Sequence, residues 1–365
     1  MYSPQFSITN KVLKYIGRIE AARDYIENAP LVPAYEAKFR QEAIIRTVHH
    51  GTHIEGNPLG TGEVAAVLGG QQIDARDRDI QEVLNYREVL RFIDRSQKSL
   101  FARKLAQSEQ VKSQKFTQNH LLALHKLTVN KVLPYDKAGK YRTTQVVVKN
   151  SKTGEISFKP PAAGEVKKLI GDFMLWLNSD TVSEMHPVIL AGIVHYVLAY
   201  IHPFVDGNGR VARSFATLVL FSRGYDIKKF FSLEEYFDRD GQRYYATLQA
   251  VSNQKVENLS DRDLTVWLEY FCEGLAQELE RVKEKVKKLS LDSRLKGRTG
   301  QIALSERQVK LVEYIENNGS INNRAWRSIL PDYSDDTILR DLKDLQGKKL
   351  IKKKGSTKGA VYVLK

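Results

Sequence analysis

The sequence predicts a mainly α-helical protein with one β-hairpin and a small C-terminal winged helix-turn-helix domain. Between residues 8 and 290, apolar residues recur at spacings of three and four, which is the period of amphipathic helices. One β-prone stretch, residues 143–158, interrupts this pattern. After residue 304 the pattern changes to three short helices followed by two basic strands, the order found in winged helix-turn-helix domains.

The helical period is clearest in nine segments. They are residues 10–28, 33–50, 80–96, 117–129, 164–177, 186–200, 209–223, 241–251 and 261–289. Ser260, with Asp263 three residues later, is expected to cap the last of them. Residues 143–148 and 155–158 flank a turn-forming stretch and predict the hairpin. This hairpin is either a surface excursion or a flap over a site.

The domain organisation follows from a change in composition near residue 291. Ser, Gly, Lys and Arg dominate residues 291–300, which is typical of a linker. Beyond it we predict helices at 305–317, 322–329 and 334–346 and strands at 349–353 and 360–364. The expected division is an N-terminal helical region at 1–110, a helical core at 111–290, a linker at 291–303 and the winged helix domain at 304–365.

Composition narrows the class of protein. The 365 residues suggest two or three domains, and 42% apolar residues are enough for packed cores. The single cysteine, Cys272, excludes an internal disulfide and a cysteine-based zinc site, and we expect it to be a buried thiol. The apolar run 188–201 contains His195 and is shorter than the ~20 residues that span a bilayer. With no signal peptide pattern at the N-terminus, these features predict a soluble cytoplasmic protein without a membrane partner.

The positive charge is concentrated at the C-terminal end. The formal net charge is +14, and residues 294–365 contain 16 basic and 8 acidic residues, a net charge of +8. Such an excess is compatible with nucleic acid, an acidic membrane surface or an anionic substrate.

One loop in the core carries groups suited to phosphate chemistry. Residues 207–209, Gly-Asn-Gly, precede a helix, so backbone amides and the positive helix end would attract an anion. Arg210 and Arg213 are three residues apart and can meet phosphate oxygens from one side of the helix. Asp206 suits Mg²⁺, and His202 can take a proton from a hydroxyl near neutral pH. Together they predict a phosphoryl- or nucleotidyl-transfer site that has no Walker A lysine.

This loop closely resembles the signature of Fic domain proteins. Residues 202–213 read HPFVDGNGRVAR. The stretch GKYRTTQV at 139–146 is similar to the segment that leads into the flap in this family. Tyr244-Tyr245 and Trp267-Leu268 fall where such proteins have the same pairs. The resemblance covers about residues 30–285. It implies a protein adenylyltransferase, which transfers AMP from ATP to Ser, Thr or Tyr hydroxyls of a target protein and of itself. It also makes a homodimer an expectation.

The resemblance implies a role for each matching residue. His202 would be the general base, Asp206 would hold Mg²⁺ on the α- and β-phosphates, and Phe204 would point into the core. Asn208 would meet the α-phosphate, and Ser252 lies where relatives often have Asn near the base. The ATP site would comprise Glu55; Val148, Lys149, Asn150 and Ser151 of the flap; Asp206, Gly207, Asn208, Gly209, Arg210, Val211, Ala212 and Arg213 of the loop; and Tyr244, Tyr245 and Ser252 beside the adenine. Arg210 and Arg213 would bind the outer phosphates.

A second stretch resembles the inhibitory motif of the family. Residues 52–57 read THIEGN, and the resemblance implies that Glu55 pairs bidentately with Arg213 and so withholds the guanidinium that the γ-phosphate needs. The alternative is a solvated glutamate where a helix ends at Gly56. Relatives usually have Ser or Thr four residues before this glutamate. Here that position is Gly51, and Thr52 is the candidate to replace it.

The C-terminal domain allows two interpretations. It could bind DNA, with helix 334–346 in the major groove and Lys352, Lys353, Lys354 and Lys358 on phosphates. The four aspartates of that helix argue against this and favour a protein-docking or dimer module instead. Two other functions stay open beside AMP transfer. One is a transcription regulator whose core senses nucleotide, and the other is removal of AMP at the same site.

Overall fold

The structure is a computed structural model, and the part of the chain that it describes contains fourteen α-helices, four short 3₁₀ helices and two short antiparallel hairpins. That part comprises residues 2–31, 33–105, 115–149, 156–296, 304–355 and 360–365, without the side chains of 98–105, 149 and 290–296. The predicted fold class, mainly α with one hairpin in the core, is confirmed.

The helices are α1 Asn10–Asn28, α2 Pro33–His53, α3 Thr61–Leu68, α4 Asp77–Leu105, α5 Gln118–Thr128, α6 Val166–Leu177, α7 Pro187–Ile201, α8 Asn208–Ser222, α9 Leu233–Arg239, α10 Gly241–Ser252, α11 Thr265–Lys296, α12 Glu306–Asn318, α13 Asn323–Ile329 and α14 Asp335–Gly347. The strands are β1 Val148–Lys149, β2 Ile156–Phe158, β3 Ile351–Lys354 and β4 Val361–Leu364. The two short helices α3 and α9 were not predicted, because each spans only about two turns.

Both ends of α11 differ from the prediction. Asp263 forms a β-bridge with Gln5, which keeps the preceding backbone extended. The helix therefore begins at Thr265, whose amide donates to the Asp263 carboxylate at 2.9 Å, and Ser260 does not cap it. At the other end the helix continues to Lys296, so the first part of the predicted linker is helical. Residues 290–296 lack glycine and proline, and the first glycine follows at position 297. The rest of that linker, 297–303, lies outside the described residues.

The core hairpin is shorter than the sequence predicts. Val148 of β1 pairs with Phe158 of β2, whereas residues 143–147 are not in a strand. A longer ladder would bring this segment opposite Pro160 and Pro161, which have no N–H group to donate. The Gln145 side-chain amide instead donates to the Pro160 carbonyl at 3.0 Å. The turn at 150–155 lies outside the described residues.

Helix α7 is the central element of the large core. It is apolar all round, so almost all of its side chains are buried. Helices α6, α8 and α11 pack against it, and the Trp267 indole donates to the Gly192 carbonyl at 2.7 Å. At Gly192 a Cβ would lie 2.8 Å from the Leu268 side chain, so α11 approaches closely here. Because α8 packs back on α7, the loop between them is held at the end of both helices.

The C-terminal module, residues 304–365, has its own apolar core and contacts α2. Its elements are α12, α13 and α14 followed by the β3–β4 hairpin, in the order that the sequence predicts. Ala37 of α2 joins this core, and Arg40 lies 3.5 Å from the buried Glu316. Gly319 approaches the Leu68 carbonyl so closely that a Cβ would lie 2.8 Å from it. The module therefore rests on the helix that leads to Glu55.

The structure bears on two features predicted from composition, the cysteine and the apolar helices. Cys272 is buried in α11, as predicted. Among the described residues, no helix combines the length and the apolar character needed to cross a membrane.

Candidate active site

His202 lies at the point where α7 ends. Its backbone adopts a left-handed conformation, φ 51° and ψ 60°, which turns the chain out of the helix. The ring Nδ1 is 3.1 Å from the Ala199 carbonyl. Since a carbonyl only accepts, Nδ1 carries the proton and the lone pair of Nε2 is left to accept another. Burial lowers the pKa of His202, so the neutral, proton-accepting form is favoured near pH 7.

Asn208 closes the loop that follows. Its side-chain oxygen accepts from the Phe204 amide at 2.8 Å, and its side-chain nitrogen donates to the Phe204 carbonyl at 2.9 Å. The side-chain amide is therefore used within the loop, and the backbone N–H is the group that Asn208 can offer to a phosphate. Phe204 is fully buried, as expected, and Gly207 has φ +75° with a side chain of Val129 3.0 Å from where its Cβ would lie.

Asp206 lies between two arginines. Its Oδ1 accepts from the Gly207 amide at 2.6 Å, its Oδ2 is 3.4 Å from Arg78, and Arg210 is 3.7 Å away. Among the described residues, no group of three or more His, Cys, Asp and Glu is arranged to hold a metal. Mg²⁺ commonly takes one carboxylate together with substrate phosphates, so Asp206 beside the glycine loop fits such an ion. Arg78, on the exposed side, can leave the carboxylate when a cation arrives.

Two buried residues that the sequence analysis did not select hold this loop. Arg142 donates to the carbonyls of His202 at 2.8 Å and Pro161 at 2.6 Å, which joins the flap segment to the loop. His125 stacks on Phe204, with ring centroids 3.8 Å apart. Arg142 falls inside the stretch that resembles the flap entry, so it could have been selected. His125 gives no such signal, because one histidine on an apolar helix face is common in cores.

A cavity of about 300 Å³ brings most of the predicted site residues together. It is lined by Glu55, Val147, Val148, Ser157, Phe158, Tyr196, Ala199, Tyr200, His202, Val205, Asp206, Gly207, Asn208, Gly209, Arg213, Tyr244, Tyr245, Leu248, Gln249 and Ser252. Aromatic and apolar side chains line one part, and the glycine loop with the N-terminus of α8 lines the other. This division suits a nucleotide, which has an aromatic base at one end and phosphates at the other.

Glu55 contacts the loop from the end of α2. Its Oε1 lies 2.8 Å from Nη2 of the buried Arg213. The pairing uses this one nitrogen, which also donates to the Gly51 carbonyl at 3.0 Å. Nε and Nη1 of Arg213 have no hydrogen-bond partner among the described residues, so the expected bidentate geometry is not formed. Burial opposes the charge of Arg213, and the Glu55 carboxylate outweighs it, so the pKa of the guanidinium is raised. A Cβ at Gly209 would lie 2.2 Å from the same Oε1, so the carboxylate sits against the N-terminus of α8.

Gly51 stands where a serine or threonine was expected, and packing explains it. A Cβ at this position would lie 2.6 Å from the Tyr86 ring. Tyr86 is buried, and its hydroxyl donates to Glu234 at 3.0 Å. Thr52 does not replace the missing hydroxyl, because its own hydroxyl donates to the Val48 carbonyl at 2.9 Å inside α2. Glu55 is therefore positioned by Arg213 and the helix N-terminus.

Several residues that are predicted to contact ATP do not line this cavity. Arg210 is buried, and its guanidinium lies 3.4 Å from Glu82 and 3.7 Å from Asp206. Val211 and Ala212 are buried in the interior face of α8 and do not line the cavity. Asn150 and Ser151 lie outside the described residues, as does the side chain of Lys149.

The aromatic pair behind Glu55 is split between two environments. Tyr244 lines the cavity but is buried, and its hydroxyl is hydrogen-bonded to the His195 ring at 3.0 Å. Tyr245 is partly exposed, and its hydroxyl donates to the Ile54 carbonyl at 3.3 Å. Ser252 also lines the cavity, and its hydroxyl lies 3.1 Å from the Tyr196 hydroxyl. Of the three, Tyr245 and Ser252 are the more open to a bound base.

Comparison with known proteins finds a family model that matches part of the chain. Residues 115–220 match the model of the Fic/DOC family.

Individual curated relatives are similar to a larger part of the chain. The protein adenylyltransferase Fic of Culex quinquefasciatus is 30% identical over 218 residues, which are 58% of this chain and 39% of that protein. The one of Nematostella vectensis is 28% identical over 227 residues, 61% of this chain and 48% of that protein. The chain thus spans less than half the length of these curated relatives.

Solved structures share the fold. A Fic family protein from Desulfovibrio desulfuricans G20 has a TM-score of 0.61 at 22% identity, covering 100% of this chain and 98% of that one. Fic-1 from C. elegans has a TM-score of 0.58 at 24% identity, covering 77% of this chain and 73% of that one. At these identities the likeness concerns the fold, and the covered share of the first includes the C-terminal module.

Proposed function

We propose that this protein transfers AMP from ATP to the hydroxyl group of a Ser, Thr or Tyr side chain on a target protein, and on itself. The observation that carries the proposal is that one cavity contains both a proton acceptor, His202, and the anion-binding N-terminus of α8. The relatives that are named protein adenylyltransferases support it.

In the proposed reaction, His202 Nε2 takes the proton of the target hydroxyl. The hydroxyl oxygen forms a bond to the α-phosphorus of ATP, and the bond between this phosphorus and the bridging oxygen breaks, so that pyrophosphate leaves. Backbone amides at residues 207–209 and the helix end would hold the phosphate oxygens, and Arg213 would hold the outer phosphates. Mg²⁺ held by Asp206 would offset phosphate charge. Most of the rate enhancement then comes from positioning and charge stabilisation.

Glu55 would restrain this reaction. Its carboxylate contacts Arg213 and the N-terminus of α8, the same two groups that attract phosphate in the proposed reaction. A triphosphate and the carboxylate compete for them, because like charges at one site repel. ATP bound beside Glu55 would therefore be displaced from the position that aligns its α-phosphorus with the incoming hydroxyl.

The reaction class can be tested with ATP that carries a label on either the α- or the γ-phosphate. Glu55→Gly protein incubated with Mg²⁺ and α-labelled ATP should retain the label on protein after denaturation, whereas γ-labelled ATP should leave none. Intact mass should show an addition of the size of 5′-AMP. Retention of the γ-label would instead indicate phosphoryl transfer and would contradict the proposal.

A second candidate function, DNA binding by the C-terminal module, gains support from one observation. Three of the four aspartates of α14 are paired within the module: Asp335 with Arg327, Asp341 with Arg307 at 2.8 Å, and Asp344 with Lys348 at 2.5 Å. Their negative charges are thus partly neutralised, so these aspartates repel DNA phosphates less than their number suggests. Arg340 and Lys343 of α14 and Lys352, Lys353 and Lys354 of β3 are exposed. Lys358 lies outside the described residues.

A gel shift with the full chain and labelled duplex DNA tests this second candidate. We expect binding at low salt that weakens as salt rises, because each phosphate contact releases counterions. The double substitution Arg340→Ala, Lys343→Ala should lower affinity and reduce the log–log salt slope by about 1–2. Lys168→Ala, an exposed lysine on α6, is the control. No shift at low salt would exclude this function.

A further inference from the structure

His125 of α5 joins two parts of the candidate site without lining its cavity. The residue is completely buried and both ring nitrogens have a partner. The Gly139 amide donates to Nδ1 at 2.9 Å, and Nε2 lies 3.2 Å from the Asp206 carbonyl. Because an amide only donates and a carbonyl only accepts, Nδ1 is unprotonated and Nε2–H is the donor to Asp206.

The ring is held in this orientation from its face as well. The Phe204 ring is parallel to it within 4°, at a centroid distance of 3.8 Å. The two hydrogen bonds, one accepted and one donated, define this single tautomer of the ring. The surroundings thus fix one donor and one acceptor, pointing in two defined directions.

The contact to Asp206 reaches the backbone of the residue whose carboxylate suits Mg²⁺. Within Asp206 the carbonyl is anchored by His125 and the carboxylate by the Gly207 amide at 2.6 Å. With both ends held, the carboxylate keeps its direction toward the cavity even if Arg78 withdraws. Through Gly139 the same ring is tied to the segment that leads to Arg142 and the flap.

We propose that His125 is a positioning residue: it orients the Asp206 carboxylate for a metal–nucleotide complex and couples this orientation to the start of the flap segment. The inference rests on the proposed function. Any buried imidazole needs a partner for each ring nitrogen. What points to positioning is the identity of the partners: one is the backbone of Asp206, and the other is Gly139, which begins the flap segment.

The test measures nucleotide affinity with and without metal, so it does not depend on turnover. In the Glu55→Gly background, the dissociation constant of α,β-methylene ATP, which cannot release pyrophosphate, is measured by calorimetry in Mg²⁺ and in EDTA. The ratio of the two constants is the magnesium gain. His125→Asn can keep the contact near Nδ1, and His125→Gln can keep a donor near Nε2, so the pair separates the two hydrogen bonds. His125→Phe keeps a ring on Phe204 and removes both.

We expect His125→Asn and His125→Phe to lower the magnesium gain by about tenfold or more, with the affinity in EDTA unchanged, because outer partners of a metal ligand commonly affect metal affinity by 10–100-fold. His125→Gln should retain most of the gain. In an Asp206→Asn background, His125→Asn should not lower the magnesium gain any further. His120→Phe, on the same helix, is the control. If His125→Phe does not fold, the Asn and Gln pair decides.

An unchanged magnesium gain in His125→Asn would overturn the inference, as would an equal loss of affinity in EDTA, which indicates general damage to the site. AMP transfer is measured separately in the Glu55→Gly protein. If transfer fails while the magnesium gain depends on His125, the proposed function falls and the positioning role stands. If transfer occurs but the magnesium gain does not depend on His125, the proposed function stands and the positioning role falls.

Discussion

Replacing Glu55 with glycine is expected to raise the rate of AMP incorporation by about 10–100-fold. The carboxylate lies 2.8 Å from the Arg213 guanidinium and against the N-terminus of α8. Coupling between two groups that compete for one site is typically about 1–3 kcal/mol, which corresponds to roughly this range of rates if ATP must displace the carboxylate from the ion pair. The measurement is the initial rate of label transfer from α-labelled ATP, compared with the unsubstituted protein.

Two controls make this result specific. Glu42→Gly places a glycine at an exposed position of α2, the helix that leads to Glu55, so it reports the effect of weakening α2 alone, about 1 kcal/mol. Glu55→Gln keeps the shape of the side chain and removes its charge, so it should activate less than glycine if space matters and equally if charge alone matters. Equal rates in Glu55→Gly and the unsubstituted protein would contradict the restraint.

Substituting His202 with alanine is expected to lower AMP transfer by about 10²–10⁴-fold, the usual contribution of a general base. The comparison is made in the Glu55→Gly background, where the starting rate is high. Because the neighbouring loop is held by Asn208 and Arg142, the alanine variant should still bind nucleotide. An unchanged rate of transfer would remove His202 from the mechanism.

The pH dependence gives a second check on His202. Burial holds its pKa below the ordinary value of 6.5, and the Glu55 carboxylate acts in the opposite direction. The base is the unprotonated ring, so transfer by the Glu55→Gly protein should persist as pH falls below 6.5 and decline only at lower pH. The decline should be absent from the residual rate of the His202→Ala variant.

Much of the fold could be predicted because helix periodicity is a local property of the chain. Helix α1 has the predicted bounds, and α7 and α8 differ by one residue at each end. Two of the errors arose where a distant partner decided the boundary of an element. Gln5 holds Asp263 extended and delays the start of α11, and two prolines facing residues 143–147 shorten the hairpin.

The candidate site likewise has parts that a local motif predicts and parts that depend on distant residues. The stretch 202–213 contains its base, its carboxylate and its anion nest within twelve consecutive residues, so a local motif identified them. Arg210 could not be placed in this way. Its position three residues before Arg213 suggested a shared face, but Arg210 is buried beside the carboxylates of Glu82 and Asp206 and does not line the cavity.

The chemical groups at the site and the helical class of the fold could be predicted, because both depend on residues close together in the chain. Helix packing sets which of these groups meet. It placed Glu55 on Arg213 through one nitrogen, filled the space at Gly51 with Tyr86, and set His125 under Asp206. These contacts join residues far apart in sequence, and they depend on distances of a few ångströms that only packing of the helices defines.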